Sequence, residues 1–268
     1  MTWAMRRGPV ARYLLPVLGA FIAGWMVAPT LTVIPLSFTA RPSFVFPPNG
    51  WSTRWYANLI HDATWLEALK TSLIVAILAA LTATVLGTMA ALGMRRRFFG
   101  QRLLAIFLLA PMVVPVVIIA IGIYLVFLPW GFAGTLPGFV FAHSVLGLPF
   151  VLVTVTAGLR SLDPQLAPAA ASLGASPLRA FFAVTLPLIA PSILIGAVFA
   201  FMASFDEVVV SIFLVTPTRR TLPVEIYTSV TRDIDPTVAA AATVITIFTS
   251  VLLTAGLVAH ARRSFANV

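Results

Sequence analysis

Five stretches of this chain run for 24 residues or more without an acidic or basic side chain, and they restrict its fold more than any other feature. There are 28 uncharged residues between Arg12 and Arg41, 24 between Lys70 and Arg95, and 26 between Arg179 and Asp206. Another 24 separate Asp235 from His260, and the 57 residues from Leu103 to Leu159 hold His143 as their one ionisable side chain of the Asp, Glu, Lys, Arg and His set. A helix needs about 20 largely apolar residues to cross the hydrocarbon core of a bilayer. The longest stretch therefore has room for two crossings, with a turn expected at Pro129-Trp130-Gly131 and Pro137-Gly138. The chain reads as an all-α membrane protein with six spans near 13–36, 69–94, 103–128, 138–159, 188–214 and 237–259. These form a single transmembrane domain over residues 1–268.

Composition excludes the other classes. Only 9% of the 268 residues are charged, where a soluble domain carries about a quarter. A mean hydropathy of +1.03 excludes a disordered regulator, and the absence of Cys excludes a disulfide scaffold. A membrane β-barrel would alternate apolar and polar residues, whereas Leu103–Leu109 and Val113–Ile123 carry no polar alternation. Arg6-Arg7 before an apolar run resembles a secretory leader, but the run is too long and lacks a small-x-small site, so the first span is expected to be retained.

The net charge of +9 is no nucleic-acid signature, because the bases sort by side of the membrane. With the N-terminus inside, eleven fall in the cytoplasm: Arg6, Arg7, Arg12, Arg95, Arg96, Arg97, Arg102, Arg160, Arg179, Arg262 and Arg263. Six fall outside, Arg41, Arg54, Lys70, Arg219, Arg220 and Arg232, with the acids Asp62, Glu67, Glu225, Asp233 and Asp235. Both termini are then cytoplasmic. The outer segment Ser37–Glu67 is rich in Pro and aromatic residues. It reads either as an interfacial belt with a short helix or as a docking surface for an external protein.

The cytoplasmic segment 161–187 is expected to hold two short helices. Asp163-Pro164 and Ser176-Pro177 each offer an N-cap followed by Pro at the first helical position, and Gly174 stands where the direction changes. Leu178, Phe181, Phe182 and Val184 form an apolar set there, of the kind that meets a partner.

Residues 169–187, from Ala169-Ala170-Ala171-Ser172-Leu173-Gly174 to Val184-Thr185-Leu186-Pro187, resemble the EAA loop of permease subunits of binding-protein-dependent ABC importers. Further strings resemble the second permease subunit of the spermidine/putrescine branch. These are Ala142-His143-Ser144, Ser204-Phe205-Asp206-Glu207-Val208 and Thr221-Leu222-Pro223-Val224-Glu225. That branch also holds importers of opines, phosphonates and other solutes. The resemblance implies a type I importer fold in a bacterial inner membrane, importing a small, polyamine-like or other organic solute. It also implies partners: two copies of an ATP-binding subunit, a homologous second permease, and a periplasmic or extracellular solute-binding protein. ATPase coupling would fall to Pro168, Ala169, Ala170, Gly174, Phe181, Phe182, Val184, Leu186 and Pro187. The family pattern has Glu where Pro168 stands. Losing that carboxylate removes one charge-assisted contact, and the first coupling helix is expected to start or kink at Pro168.

Few polar groups remain for chemistry. Asp206 and Glu207 near the outer end of span five read as cation recognition along the path, or as partners of another helix. His143 reads as a hydrogen-bonded packing residue or a path residue, and Met112, beside Pro111 and Pro115, as packing or path lining. No metal constellation, nucleophile set or Gly-x4-Gly-Lys-Ser/Thr phosphate loop is present, so no cofactor is expected and ATP hydrolysis belongs to another chain. The competing readings are a stand-alone secondary transporter or channel, and a membrane-embedded enzyme using Asp206, Glu207 and His143. The first leaves the cytoplasmic helix pair unexplained.

Overall fold

The computed structural model describes residues 9–232 and 235–265. Arg6, Arg7 and Asp233 from the charge count lie outside the described residues, as do the side chains of Arg12, Arg232, Arg262 and Arg263. Two compact units are present, one from residues up to His61 with Ser229–Phe248, the other from Asp62–Thr228 with the residues after Phe248.

The first unit opens with α1 (Pro9–Leu36), whose side chains from Leu14 to Thr32 are all exposed. An exposed apolar helix face calls for lipid or protein to cover it. The Pro-rich segment that follows is stitched rather than loose. The Trp55 indole N–H donates to Thr39 O at 2.7 Å, Ser37 Oγ and Tyr56 Oη lie 2.6 Å apart, and Thr39 pairs with Trp51 across an isolated bridge. These contacts fix α2 (Arg54–His61), the short helix expected in this segment. Trp51, Phe46 and Val45 remain exposed.

The second unit contains most of the packing. Helix α3 (Ala63–Gly93) starts ahead of the expected span, because the Asp62 side chain accepts from Thr64 N–H at 2.7 Å and caps it. Residues 103–128 are not one straight span. They form α4 (Gln101–Leu109), a 3₁₀ turn at Ala110–Met112 and α5 (Val116–Phe127), and the two helical arms bend by 106°. Pro115 cannot donate to a helical ladder and drives Val114 away from α geometry, so the chain restarts at Val116. Helix α6 (Leu136–Ser161) is capped by Thr135, whose hydroxyl accepts from Gly138 N–H at 3.1 Å; Pro137 thus opens this helix and is not part of the turn before it.

After α6 come α7 (Leu166–Ser172), α8 (Pro177–Ala180), a wide π turn at Phe181–Thr185 and α9 (Leu186–Phe205). From Pro177 to Phe205 the helix is long enough to span, but it stops at Phe205 and does not run on to residue 214. A separate α10 (Val209–Leu214) follows, then α11 (Leu222–Arg232) and α12 (Thr237–Phe265). Among the described residues, four helices are long and apolar enough to cross a membrane, or five if the bent pair counts as one.

Helices α3, α6 and α9 form the core around Ala80, Ala83, Val151, Val155, Ile189 and Ala200. Lipid tails are as apolar as leucine, so membrane helices gain by close fit and not by leaving water. Small residues supply that fit. A Cβ on Gly196 would stand 3.0 Å from Val151 Cα, one on Gly147 3.0 Å from Ala200 Cβ, and one on Gly87 2.8 Å from Val151 Cβ. An added Cβ at Gly19, Gly24 or Gly93 would meet nothing of this chain within 4 Å. A second cluster joins Val75, Ala120, Phe139, Ala142, Val210 and Leu214, tying α10 to α3, α5 and α6.

Gly196→Leu is expected to force α9 away from α6 at a cost of about 1–3 kcal/mol. It should lower the thermal unfolding midpoint in detergent, while Gly19→Leu leaves that midpoint unchanged.

Candidate functional site

Two places in the second unit concentrate the residues singled out by sequence. The first is the exposed segment 162–187. Its opening differs from expectation: Asp163 accepts from Gln165 N–H at 2.9 Å and makes a turn, and α7 begins at Leu166. Pro168 thus lies in the first turn of α7 rather than at its start. Backbone N–H groups there have no helical acceptor in any case, so proline costs no hydrogen bond and no kink results.

The far end of α7 is closed by a pair of backbone bonds. Ala175 N–H donates to Ala170 O at 3.0 Å and Gly174 N–H to Ala171 O at 2.9 Å, with Gly174 at φ +81°. This is the Schellman arrangement, which requires a left-handed residue at the position of Gly174. No side chain crowds Gly174, so its backbone angle alone explains the glycine. Two residues later the Ser176 hydroxyl accepts from Arg179 N–H at 3.4 Å and opens α8 with Pro177 at its first position.

The result is a helix–turn–helix projecting large apolar side chains. Leu178 and Phe182 are 72% and 61% exposed, while Phe181 and Val184 are half-buried, Phe181 meeting the Phe182 ring edge-on. Pro168, Ala169 and Pro187 are exposed, and Ala170 and Leu186 half-buried. Leu173, just before the glycine, is the most exposed of the set at 89%, and sequence reasoning missed it. Its signal was available: an apolar residue at a helix C-cap has no interior face to occupy.

The second place is the break between α9 and α10. Asp206 caps the end of α9, its backbone N–H donating to Met202 O, and its exposed carboxylate has no hydrogen-bond or ion-pair partner among the described residues. Glu207 is committed: its Oε1 accepts from Val210 N–H at 2.9 Å and satisfies the opening turn of α10. The two acids are therefore not neighbours on one helix but occupy a turn with different duties. Four C=O groups at a helix C-terminus lack helical partners and carry about half a negative charge. Asp206 adds a full charge at that pole, which makes the turn attractive to a cation.

His143, on α6, is buried beside this turn with Ser204 and Ser211 at its ring nitrogens. Met112 lies elsewhere, 51% exposed in the 3₁₀ turn. An apolar cavity of about 240 Å³ opens at that bend between Pro111, Val114 and Leu148, and Met112 is not among its lining. Among the described residues no three His, Cys, Asp or Glu converge to hold a metal.

The family model for the binding-protein-dependent transport system inner membrane component matches residues 83–265. This chain belongs to that family. It is a permease component of an ABC-type importer, a multi-pass membrane subunit that forms part of the translocation path for a small solute and is not an enzyme. In this transporter family ATP hydrolysis resides on a separate subunit. The putrescine transport system permease protein PotI of Escherichia coli K12 is 36% identical over 229 residues, covering 82% of this chain and 81% of the relative. The spermidine/putrescine transport system permease protein PotC of the same organism is 32% identical over 235 residues, covering 87% and 89%. In fold, the chain is similar to a crystal structure of a bacterial ABC transporter involved in import of the acidic polysaccharide alginate. The TM-score is 0.70 at 14% identity, covering 97% of this chain and 99% of that one.

Glu207→Ala removes the cap on Val210 N–H and is expected to destabilise the start of α10 by about 1 kcal/mol. Amide hydrogen exchange over 208–214 should quicken, whereas Glu207→Gln, which keeps a carbonyl acceptor, should restore protection.

Proposed function

We propose that this permease forms half of the path for a polyamine-like organic cation, with the turn at Asp206 as the point that recognises positive charge. The observation that carries the reading is the exposed Asp206 carboxylate at the C-terminal pole of α9, which has no partner among the described residues. A carboxylate with no basic side chain beside it attracts a mobile cation. The names of the two relatives, both polyamine permeases, support the same solute class. Met112 and His143 belong to the neighbourhood of this path, His143 as a residue that shapes it and Met112 at the bend of the α4–α5 pair.

The other half of the path belongs to a homologous permease, and an external solute-binding protein delivers the solute. Residues 166–187 form the surface on which a cytoplasmic ATP-binding subunit docks, one of two in the assembly. Leu173, Leu178 and Phe182 are its apolar contacts, and Gly174 sets the angle between its helices. In this reading the six spans of the sequence stand, with the α4–α5 pair as one bent crossing and both termini in the cytoplasm of a bacterial cell. Exchange of nucleotide on the ATP-binding subunits then tilts α7 and α8, and the bundle alternates between outward and inward access.

Coexpression with the neighbouring genes and copurification in mild detergent test the docking surface. Gly174→Pro cannot adopt φ +81° and loses the N–H that closes α7. The ATPase is expected to accompany the wild type and to be lost from this variant, and its retention would overturn the assignment. For the path, Asp206→Asn is expected to lower ATP-driven uptake of radiolabelled putrescine by about tenfold, the effect of removing one charge at a partly hydrated site. Unchanged uptake would remove Asp206 from the path.

A further inference from the structure

A broken helix keeps one geometry in an apolar region only if groups outside its own backbone hold the two ends. His143 touches both ends of this break. It stands on α6 at 1% exposure, with Nδ1 2.8 Å from Ser204 Oγ and 3.1 Å from Ser204 O, and Nε2 3.1 Å from Ser211 Oγ. Ser204 belongs to the last turn of α9 and Ser211 to the first turn of α10. A carbonyl oxygen only accepts, so the contact with Ser204 O puts the imidazole proton on Nδ1. Nε2 is left as an acceptor, and the Ser211 hydroxyl donates to it. The ring therefore reads a donor on one side of the break and an acceptor on the other, and it fits in one orientation.

We propose that His143 is the positioning residue for the Asp206 turn, a strap that fixes the separation of α9 and α10 and so holds the Asp206 carboxylate in place. This rests on the reading of Asp206 as the cation-recognising group. His143 itself meets no solute: both ring nitrogens are occupied within the chain, and Phe139 lies near its ring. Ser211 acts with it, as the one donor among the described residues that reaches Nε2. Without the strap, α10 keeps its apolar contacts through Val210 and Leu214, but the three residues between the helices are free to re-aim.

The chain has no cysteine, so Val208→Cys introduces a unique thiol inside the turn. In the full chain, reconstituted in neutral phosphatidylcholine liposomes, this thiol is modified by a cationic and by an anionic methanethiosulfonate, followed by intact mass. Asp206 speeds the cationic reagent over the anionic one, and Asp206→Asn is expected to lower that ratio about tenfold. His143→Leu and Ser211→Ala, each with Asp206 intact, are expected to lower the ratio most of the way to the Asp206→Asn level. His143→Asn, whose amide N–H still reaches toward Ser204 O, should retain a larger part of it. If Asp206→Asn lowers the ratio while Ser211→Ala and His143→Leu leave it intact, the positioning role is overturned and the cation reading stands. If Asp206→Asn leaves the ratio unchanged, the cation reading falls and the proposal with it. Should His143→Leu not assemble, Ser211→Ala, which removes a single hydroxyl, carries the test alone.

Discussion

Inside a bilayer there is no water to bond a free N–H or C=O, and every interruption of a helix must find its partners within protein. Two breaks among the described residues show how that constraint is met. Where α9 stops, the opening of α10 receives the Glu207 carboxylate, and His143 bridges Ser204 to Ser211. Where α4 stops, prolines 111 and 115 remove two donors and with them two demands for an acceptor. Along their length the long helices satisfy their own backbone, and α3 and α6 call on the side chains of Asp62 and Thr135 at their starts.

That difference explains how much was legible beforehand. The apolar runs exposed the long helices, since nothing but a helix satisfies 20 or more apolar residues in lipid. Ser176-Pro177 and Gly174 marked the ends of α8 and α7 by local backbone chemistry, which sequence carries directly. The stop at Phe205 was not legible, because residues 204–214 read as an apolar run with two acids in it. Its cause is a side chain folding back onto Val210 N–H, a local event with no periodic signature. Pro111 and Pro115 in span three break the helix by local backbone chemistry, whereas the 106° between its arms is a tertiary quantity, with α5 packed against α10 and α6. A small residue matters only opposite a close neighbour, and the partners of Gly147, Gly158 and Gly196 lie on other helices, far along the chain.

The same distinction orders the candidate site. Residues 166–187 and Asp206 lie in one chain but present different chemistry, the first exposing apolar side chains and the second a carboxylate. The three-helix core of α3, α6 and α9 lies between them in the contact network: α8 runs through the π turn into α9, and α9 ends at Asp206. A displacement applied at Leu178 therefore has one stiff helix through which to reach the turn, and α6, which holds His143, packs along that helix.

The π turn at Phe181–Thr185 gives that helix a further property. A π turn holds one residue more than an α turn, and one residue corresponds to about 100° of rotation. The apolar stripe that α9 presents to the core is therefore not continued onto α8 but swung around the axis before it gets there. Leu178 and Phe182 stand exposed while Ile189, on the same run of helix, is fully buried. A single continuous rod thus has two independent facings, one for the interior of this subunit and one for whatever lies beneath it.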